Sequence, residues 1–284
     1  MTPRPLIINL APTGMMPTKE QTPHVPTTVE EVVEDVARCR ELGISMVHLH
    51  PRDEHGRPSH RAEHAGPLVE AVRRVDPELI VCVTCSGRFV SSLEERAEVL
   101  ELDGAAKPDM ASLTLGSNNF IAGPSVNPPD VIRGLAERMR ERGIAPELEV
   151  FEPGMLAFGR HLVEKGVIAE PCYVNILLGN LGTSPLSPHV LPAFLAALPA
   201  GWTWALAGLG RFQLDANALA LPLGGHVRVG IEDNIWFDRA REVPATNAML
   251  VERMAQLART LERPIATPAQ ARAQLGLGPI AALR

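Results

Sequence analysis

His48 and His50 stand two residues apart in ISMVHLHPRD, a spacing at which two bases act together in only one kind of backbone. In a β-strand the side chains alternate faces, so residues i and i+2 project to the same side. Two imidazoles sharing one face of a buried strand are costly unless each is hydrogen-bonded, and a divalent metal satisfies both at once. A zinc ion used in catalysis takes three protein ligands and keeps one position open, and two His with one carboxylate form a common set. Asp53 and Glu54 are the acids nearest in sequence, but they follow Pro51, where the chain turns away. Glu232, in HVRVGIEDN, is the better third ligand if the fold brings the two segments together. Arg228 shares strand parity with Glu232, and Asp233 follows at once. An Arg–Asp pair there can hold an anion or move a proton, or it can be a structural salt bridge.

These residues sit in a regular alternation of short apolar runs and longer amphipathic stretches. PLIINLA precedes TVEEVVEDVARCRELG, ISMVHLH precedes HRAEHAGPLVEAVRRV, and LIVCVTC precedes SLEERAEVLELDG; the pattern continues to HVRVG and VPATNAMLVERMAQLARTL. Eight such units predict an α/β fold of the (β/α)8 TIM-barrel type, expected to occupy residues 1–284 as one domain with 262–284 as a C-terminal tail. The apolar QLGLGPIAAL of that tail suits packing on a neighbouring subunit or on its own barrel. No GxGxxG follows the first strand, which argues against an open dinucleotide-binding sheet. Helix signals agree: Thr28 before VEEVV, Thr267-Pro268 before a last short helix, and Gly43 and Gly143 as stops.

Closure of a barrel explains the choice of Glu232. The second and eighth strands both flank the first, so a carboxylate at the end of one meets imidazoles at the end of the other, at the C-terminal mouth where barrel active sites lie. Other polar residues are expected to point inward at that end: Thr84, Ser86, Ser112, Thr114, Glu149 and Asn175. Small hydroxyls near a metal suit a carboxylate or carbonyl ligand, although each alone could merely satisfy nearby backbone. After the seventh strand, AGLGRFQ supplies Gly208, Gly210 and Arg211 where barrels often bind phosphate. The long first loop, PTGMMPTKEQTPHVPT, is expected over the mouth.

The bulk composition excludes other classes. With 45% hydrophobic and 21% charged residues the 284-residue chain can build a large core, and a net charge of −6 without a basic run offers no footprint for nucleic acid. No segment has the roughly 20 apolar residues of a membrane span, and the N-terminus does not read as a signal peptide, so a cytoplasmic protein is expected. Four cysteines make no disulfide framework. Cys82 and Cys85 form a CxxC, but within a strand that spacing sends the two thiols to opposite faces.

Taken together, APTG with TKEQTPHVPTT, VHLHPRD, TCSG, KPDMASLTLGSNNF, PELEVFEPGM, AGLGRFQ and GGHVRVGIEDN resemble the beta-keto acid cleavage enzymes from about residue 7 to PIATPAQAR. The resemblance implies a zinc-dependent exchange in which a β-keto acid and acetyl-CoA yield acetoacetate and a new acyl-CoA. It implies His48, His50 and Glu232 as zinc ligands, Arg228 and Asp233 as the proton-handling pair, and Thr84 and Ser112 as substrate-binding hydroxyls. It also implies a homo-oligomer, with a tetramer favoured. On this reading Asp233, oriented by Arg228, removes a proton to generate the acetyl-CoA nucleophile. One departure stands out. Where the family's aminohexanoate enzyme places a Glu against its cationic substrate, this sequence has Met16, which predicts a substrate side chain that is neutral at that contact. Lys19 and Glu20 are close enough in sequence to modify that preference.

Two other classes fit the same residues. A zinc hydrolase would use metal-bound water and would need no thioester. A protein whose metal only staples the barrel would show a fourth protein ligand and no open position.

Overall fold

The computed structural model describes residues 4–278. Eight parallel strands form a closed barrel: β1 (Ile8–Leu10), β2 (Met46–Leu49), β3 (Ile80–Val83), β4 (Met110–Thr114), β5 (Ala145–Val150), β6 (Tyr173–Leu178), β7 (Thr203–Gly208) and β8 (His226–Val229). β1 pairs with β2 on one side and β8 on the other, with Asn9 opposite Met46 and Arg228. This is the closed (β/α)8 barrel expected from the alternating pattern.

Helices α1 (Val29–Glu41), α2 (Ala62–Val75), α3 (Leu93–Ala97), α4 (Pro129–Arg142), α5 (Pro153–Glu164), α6 (Val190–Ala197), α7 (Gln213–Ala220) and α8 (Asn247–Thr260) follow the successive strands. α1 starts at a capping box in which Thr28 accepts from the Glu31 N–H while Glu31 reaches back to the cap, and it buries Val32, Val36 and Cys39 on one face. The third unit departs from expectation: SLEERAEVLELDG yields only the five residues of α3, then short 3-10 turns. A hairpin pairing Asn118–Phe120 with Gly123–Ser125 follows β4, an insertion that the sequence pattern did not announce.

The barrel interior is layered. At the N-terminal end Ile7, Met46, Ile80, Met110 and Tyr173 form an apolar floor, and α9 (Pro268–Leu275) closes it from below with Ala271 and Leu275. Arg272 anchors that helix by donating to Asp109 at 2.8 Å and to the Glu78 carbonyl at 2.9 Å. The tail as far as residue 278 therefore packs on its own barrel, and the rest of QLGLGPIAAL lies outside the described residues. Cys82 faces this interior while Cys85 joins the core between strands and helices, so the CxxC pair does point to opposite sides. Above the floor the interior turns polar, and that layer carries the site.

Candidate active site

β2 directs His48 and His50 inward, and the two Nε2 atoms lie 3.0 Å apart. Glu232, in the loop after β8, brings Oε1 to 3.1 Å from His50 Nε2. One ligand atom from each of the three residues falls within 4.8 Å of the others. The opposite end of the His48 ring is held by Glu147 on β5, whose Oε2 is 2.5 Å from His48 Nδ1. An ionised carboxylate only accepts, so His48 donates from Nδ1 and, when neutral, turns its Nε2 lone pair towards His50. That lone pair and Glu232 Oε1 both face His50 Nε2, while His50 Nδ1 and Glu232 Oε2 are buried without a partner. A cation among these atoms resolves the crowding of acceptors, and two imidazoles with one carboxylate are a donor set that zinc takes.

A second triplet, His48, Cys82 and Glu147, also brings three potential ligand atoms within 4.8 Å of one another. Its carboxylate is already satisfied: Oε1 accepts from Asn9 and Asn175 at 2.7 Å each, and Oε2 accepts from His48 and from the Cys82 thiol at 3.1 Å. Burial pushes the Cys82 thiol far up, away from the thiolate a metal needs. Glu147 is thus the outer partner of His48 in a carboxylate–histidine pair, not a ligand itself. Burial raises the Glu147 carboxyl, but His48 and Arg228 outweigh it and hold it down at about 2.

Arg228 lies fully buried at the centre of an acidic cluster. Its Nε donates to Asp233 Oδ2 at 3.1 Å, Nη2 to Glu232 Oε1 at 2.5 Å, and Nη1 to Glu149 Oε1 at 3.2 Å. Burial works against its charge, yet Asp233, Glu232 and Glu149 raise its pKa well above the ordinary range. Burial lifts the Asp233 carboxyl to about 6, with Arg228 opposing and Glu232 adding to the rise. A buried carboxylate fixed by a guanidinium and poised near neutrality is suited to taking and returning a proton.

Above these residues opens a cavity of about 100 Å³, lined among others by Met16, His50, Thr84, Thr114, Glu149 and Glu232. The first loop reaches it through Met15 and Met16, held by Arg52, which donates to the Gly14 carbonyl at 2.6 Å and the Pro17 carbonyl at 3.1 Å. Gly14 is required at that approach. Its φ is +66°, and a Cβ there would lie 2.5 Å from Glu232 Cγ. Thr84, Ser86, Thr114, Glu149 and Met16 all line the cavity, whereas Ser112 is turned aside and accepts from the Cys85 N–H at 3.0 Å. Lys19 points away to pair with Glu31 at 2.6 Å.

Gly208 and Gly210 shape the turn after β7: a Cβ on Gly208 would meet the Phe212 carbonyl at 2.2 Å, and the Gly210 N–H donates to the Asp233 carbonyl at 2.7 Å. Arg211 stands outside the cavity. It lines a neighbouring groove of about 210 Å³ with Trp236, Phe237, Arg239, Arg241 and Arg253. Two residues that matter were not singled out by sequence. Glu147 shares the strand parity of Glu149, so alternation could have found it. Arg88 lines the cavity from the loop after β3, where no periodicity exists to point it out.

Known proteins resemble this chain along nearly its whole length. The family model described as beta-keto acid cleavage enzyme matches residues 5–277. The chain is 38% identical over 277 residues, 96% of its length and 95% of the relative's, to 3-oxoadipate:acetyl-CoA acetyltransferase of Cupriavidus necator. It is 37% identical over 273 residues, 96% of its length and 98% of the relative's, to 3-keto-5-aminohexanoate cleavage enzyme of Fusobacterium nucleatum subsp. nucleatum. Among solved structures, apo ObcA superposes with a TM-score of 0.77 at 22% identity, covering 90% of this chain and 66% of ObcA, so this chain spans about two thirds of that protein and the likeness concerns the fold. With a family match across nearly the whole described barrel, the chain belongs to the beta-keto acid cleavage enzyme family.

Proposed function

We propose that this enzyme converts a β-keto acid and acetyl-CoA into acetoacetate and a new acyl-CoA, with zinc held by His48, His50 and Glu232. The observation that carries the reading is the convergence of those three residues beside the Arg228–Asp233 pair at the floor of one cavity. Zinc bound there supplies Lewis acidity that polarises the ketone of the keto acid.

The balance of atoms corrects the expected order of events. If acetoacetate leaves with the acetyl group and the acyl-CoA keeps the ketone carbon, the bond that breaks is C2–C3 of the keto acid and the bond that forms joins C2 to the acetyl carbonyl. The nucleophile is therefore C2 of the keto acid, flanked by ketone and carboxylate, and not the methyl of acetyl-CoA. Asp233, fixed by Arg228, takes the C2 proton; C2 attacks the thioester carbonyl and CoA leaves as thiolate. The thiolate adds to C3, C2–C3 breaks, and Asp233 returns its proton to C2 of acetoacetate. Thr84 and Ser86 donate hydrogen bonds to the oxygens of the bound acid without filling the cavity, while the Thr114 hydroxyl donates to Glu149 at 2.7 Å.

CoA reaches the site across the turn after β7. Gly208 and Gly210 give that turn its shape, and Arg211 with Arg241, neither of them in an ion pair among the described residues, faces the neighbouring groove where the CoA phosphates bind. Met16 at the cavity, with Lys19 diverted to Glu31, disfavours a cationic substrate side chain. A cytoplasmic homotetramer is part of the same reading, to be checked by light scattering.

The test is a panel of β-keto acids assayed with and without acetyl-CoA and with metal-stripped and zinc-reloaded enzyme. Acetoacetate and a matching acyl-CoA should form only when both zinc and acetyl-CoA are present. Keto acid consumption without the thioester would favour a zinc hydrolase instead.

A further inference from the structure

The arginines around the barrel mouth differ in one respect. Arg228 is engaged by three carboxylates, Arg52 gives its hydrogen bonds to the carbonyls of Gly14, Pro17 and Gly56, and Arg96 bonds the Cys85 carbonyl and Asn127. Arg88 has none of this. Its guanidinium forms no ion pair and no hydrogen bond with any described residue, although it is half-buried and lines the cavity. What holds it is a ring: Arg88 Cζ sits 4.2 Å from the centroid of Phe120, which packs edge-on against Phe151 at 5.5 Å. The same cavity is lined by the apolar Met15, Met16, Leu177 and Leu209 and by the polar Asn118 and Ser125.

A guanidinium over an aromatic face, half-buried and with no hydrogen-bond acceptor, is partly desolvated and only in part compensated by the ring. Burial pulls its pKa down, and Glu232 is the single charge that opposes this. Its five donors in a planar fork match a carboxylate. The Thr84 hydroxyl, which suits the reacting carboxylate, directly follows the end of β3 at Val83 and is 1% exposed, four residues before Arg88. Arg88 stands further out, where the side chain of a keto acid reaching down to the metal-binding residues would pass.

We infer that Arg88 determines substrate specificity by holding a second carboxylate, at the far end of the keto acid side chain, so that the preferred substrates are β-keto dicarboxylates with a short apolar spacer. This sharpens the substrate side chain from merely non-cationic to anionic at its far end, and it rests on the β-keto acid cleavage reading. The apolar walls accommodate the spacer, and the hairpin that carries Phe120 becomes part of the selectivity apparatus.

The experiment compares zinc-loaded wild type, Arg88→Met and Arg88→Lys on 3-oxo dicarboxylic acids of five to seven carbons, each beside the 3-oxo monocarboxylic acid of equal length. Wild type should favour the diacid. Arg88→Met should lower kcat/KM for the diacid by roughly 10- to 100-fold, mainly through KM, and leave the monoacid and the KM for acetyl-CoA unchanged. Arg88→Lys, keeping charge but losing the fork, should recover part of the loss. Equal losses on diacid and monoacid would overturn the proposal by assigning Arg88 to the reacting carboxylate, and a raised KM for acetyl-CoA would overturn it by assigning Arg88 to a CoA phosphate. Calorimetric binding of diacid and monoacid to the same proteins reads Arg88 independently of turnover. If no keto acid is cleaved yet the diacid binds through Arg88, the reaction assignment fails and the anion site stands; if the diacid binds no better than the monoacid, the anion site fails.

Discussion

The Nδ1 of His48 lies 2.5 Å from Oε2 of Glu147, at the opposite end of the ring whose Nε2 faces His50. Glu147 thereby fixes which nitrogen of His48 is free to bind a metal, and the N–H groups of Asn9 and Asn175 fix Glu147 in turn. Replacing Glu147 with Gln removes the negative charge while keeping the shape. Zinc affinity should fall about 10- to 100-fold, measured by competition with a chromophoric chelator. Unchanged affinity would mean that His48 needs no such partner.

His50→Ala should abolish stoichiometric zinc, read by metal analysis after dialysis, while the circular dichroism of the barrel persists. His50 sits at the mouth, above the apolar floor that α9 closes, so the metal is expected to be catalytic and not a staple of the fold. Loss of the folded signal along with the zinc would favour the structural alternative.

Asp233→Asn should keep zinc bound and lower kcat by about 100-fold or more, because the amide cannot accept the C2 proton. Deuterium exchange at C2 of the keto acid without acetyl-CoA isolates that first step and should vanish in the variant. Near-normal turnover would remove Asp233 from the mechanism.

Arg211→Ala and Arg241→Ala should each raise the KM for acetyl-CoA by about 5- to 10-fold and leave acetyl-pantetheine, which lacks the nucleotide, unaffected. If both thioesters suffer equally, the groove does not hold the CoA phosphates.

His226 gives a pH signature far from the reaction. Its Nδ1 accepts the Ile7 N–H at 2.9 Å, and burial, with Arg263 and Arg4 nearby, lowers its pKa from 6.5 to about 3. The unfolded chain takes up this proton below pH 6.5 and the folded one does not, so the stability tied to neutral His226 is fully present above 6.5 and is lost as pH falls towards 3. The loss approaches about 1.4 kcal/mol per pH unit for one such group. Urea denaturation of His226→Gln, neutral throughout, should show a shallower decline between pH 6.5 and 4.5 than wild type; parallel slopes would assign the acid sensitivity elsewhere.

Much of the site was legible in the chain itself because strand alternation and barrel closure are strong constraints. A period of two puts His48 and His50 on one face, and closure makes β8 and β2 common neighbours of β1, which is why Glu232 could be paired with them across 182 residues. The same parity argument reached Thr84, Thr114 and Glu149, and it extends to Glu147, whose importance nevertheless depends on a contact with His48 over 99 residues that no local pattern reveals. What alternation cannot supply is depth and aim. Ser112 has inward parity yet accepts from the Cys85 N–H and does not line the cavity, Arg211 belongs to a second groove, and Arg88 lies in a loop without periodicity. Backbone geometry restricts which side a residue faces, and that is encoded locally; which partner a long or polar side chain finds depends on the space and charges left by every other strand, and only the assembled barrel decides it.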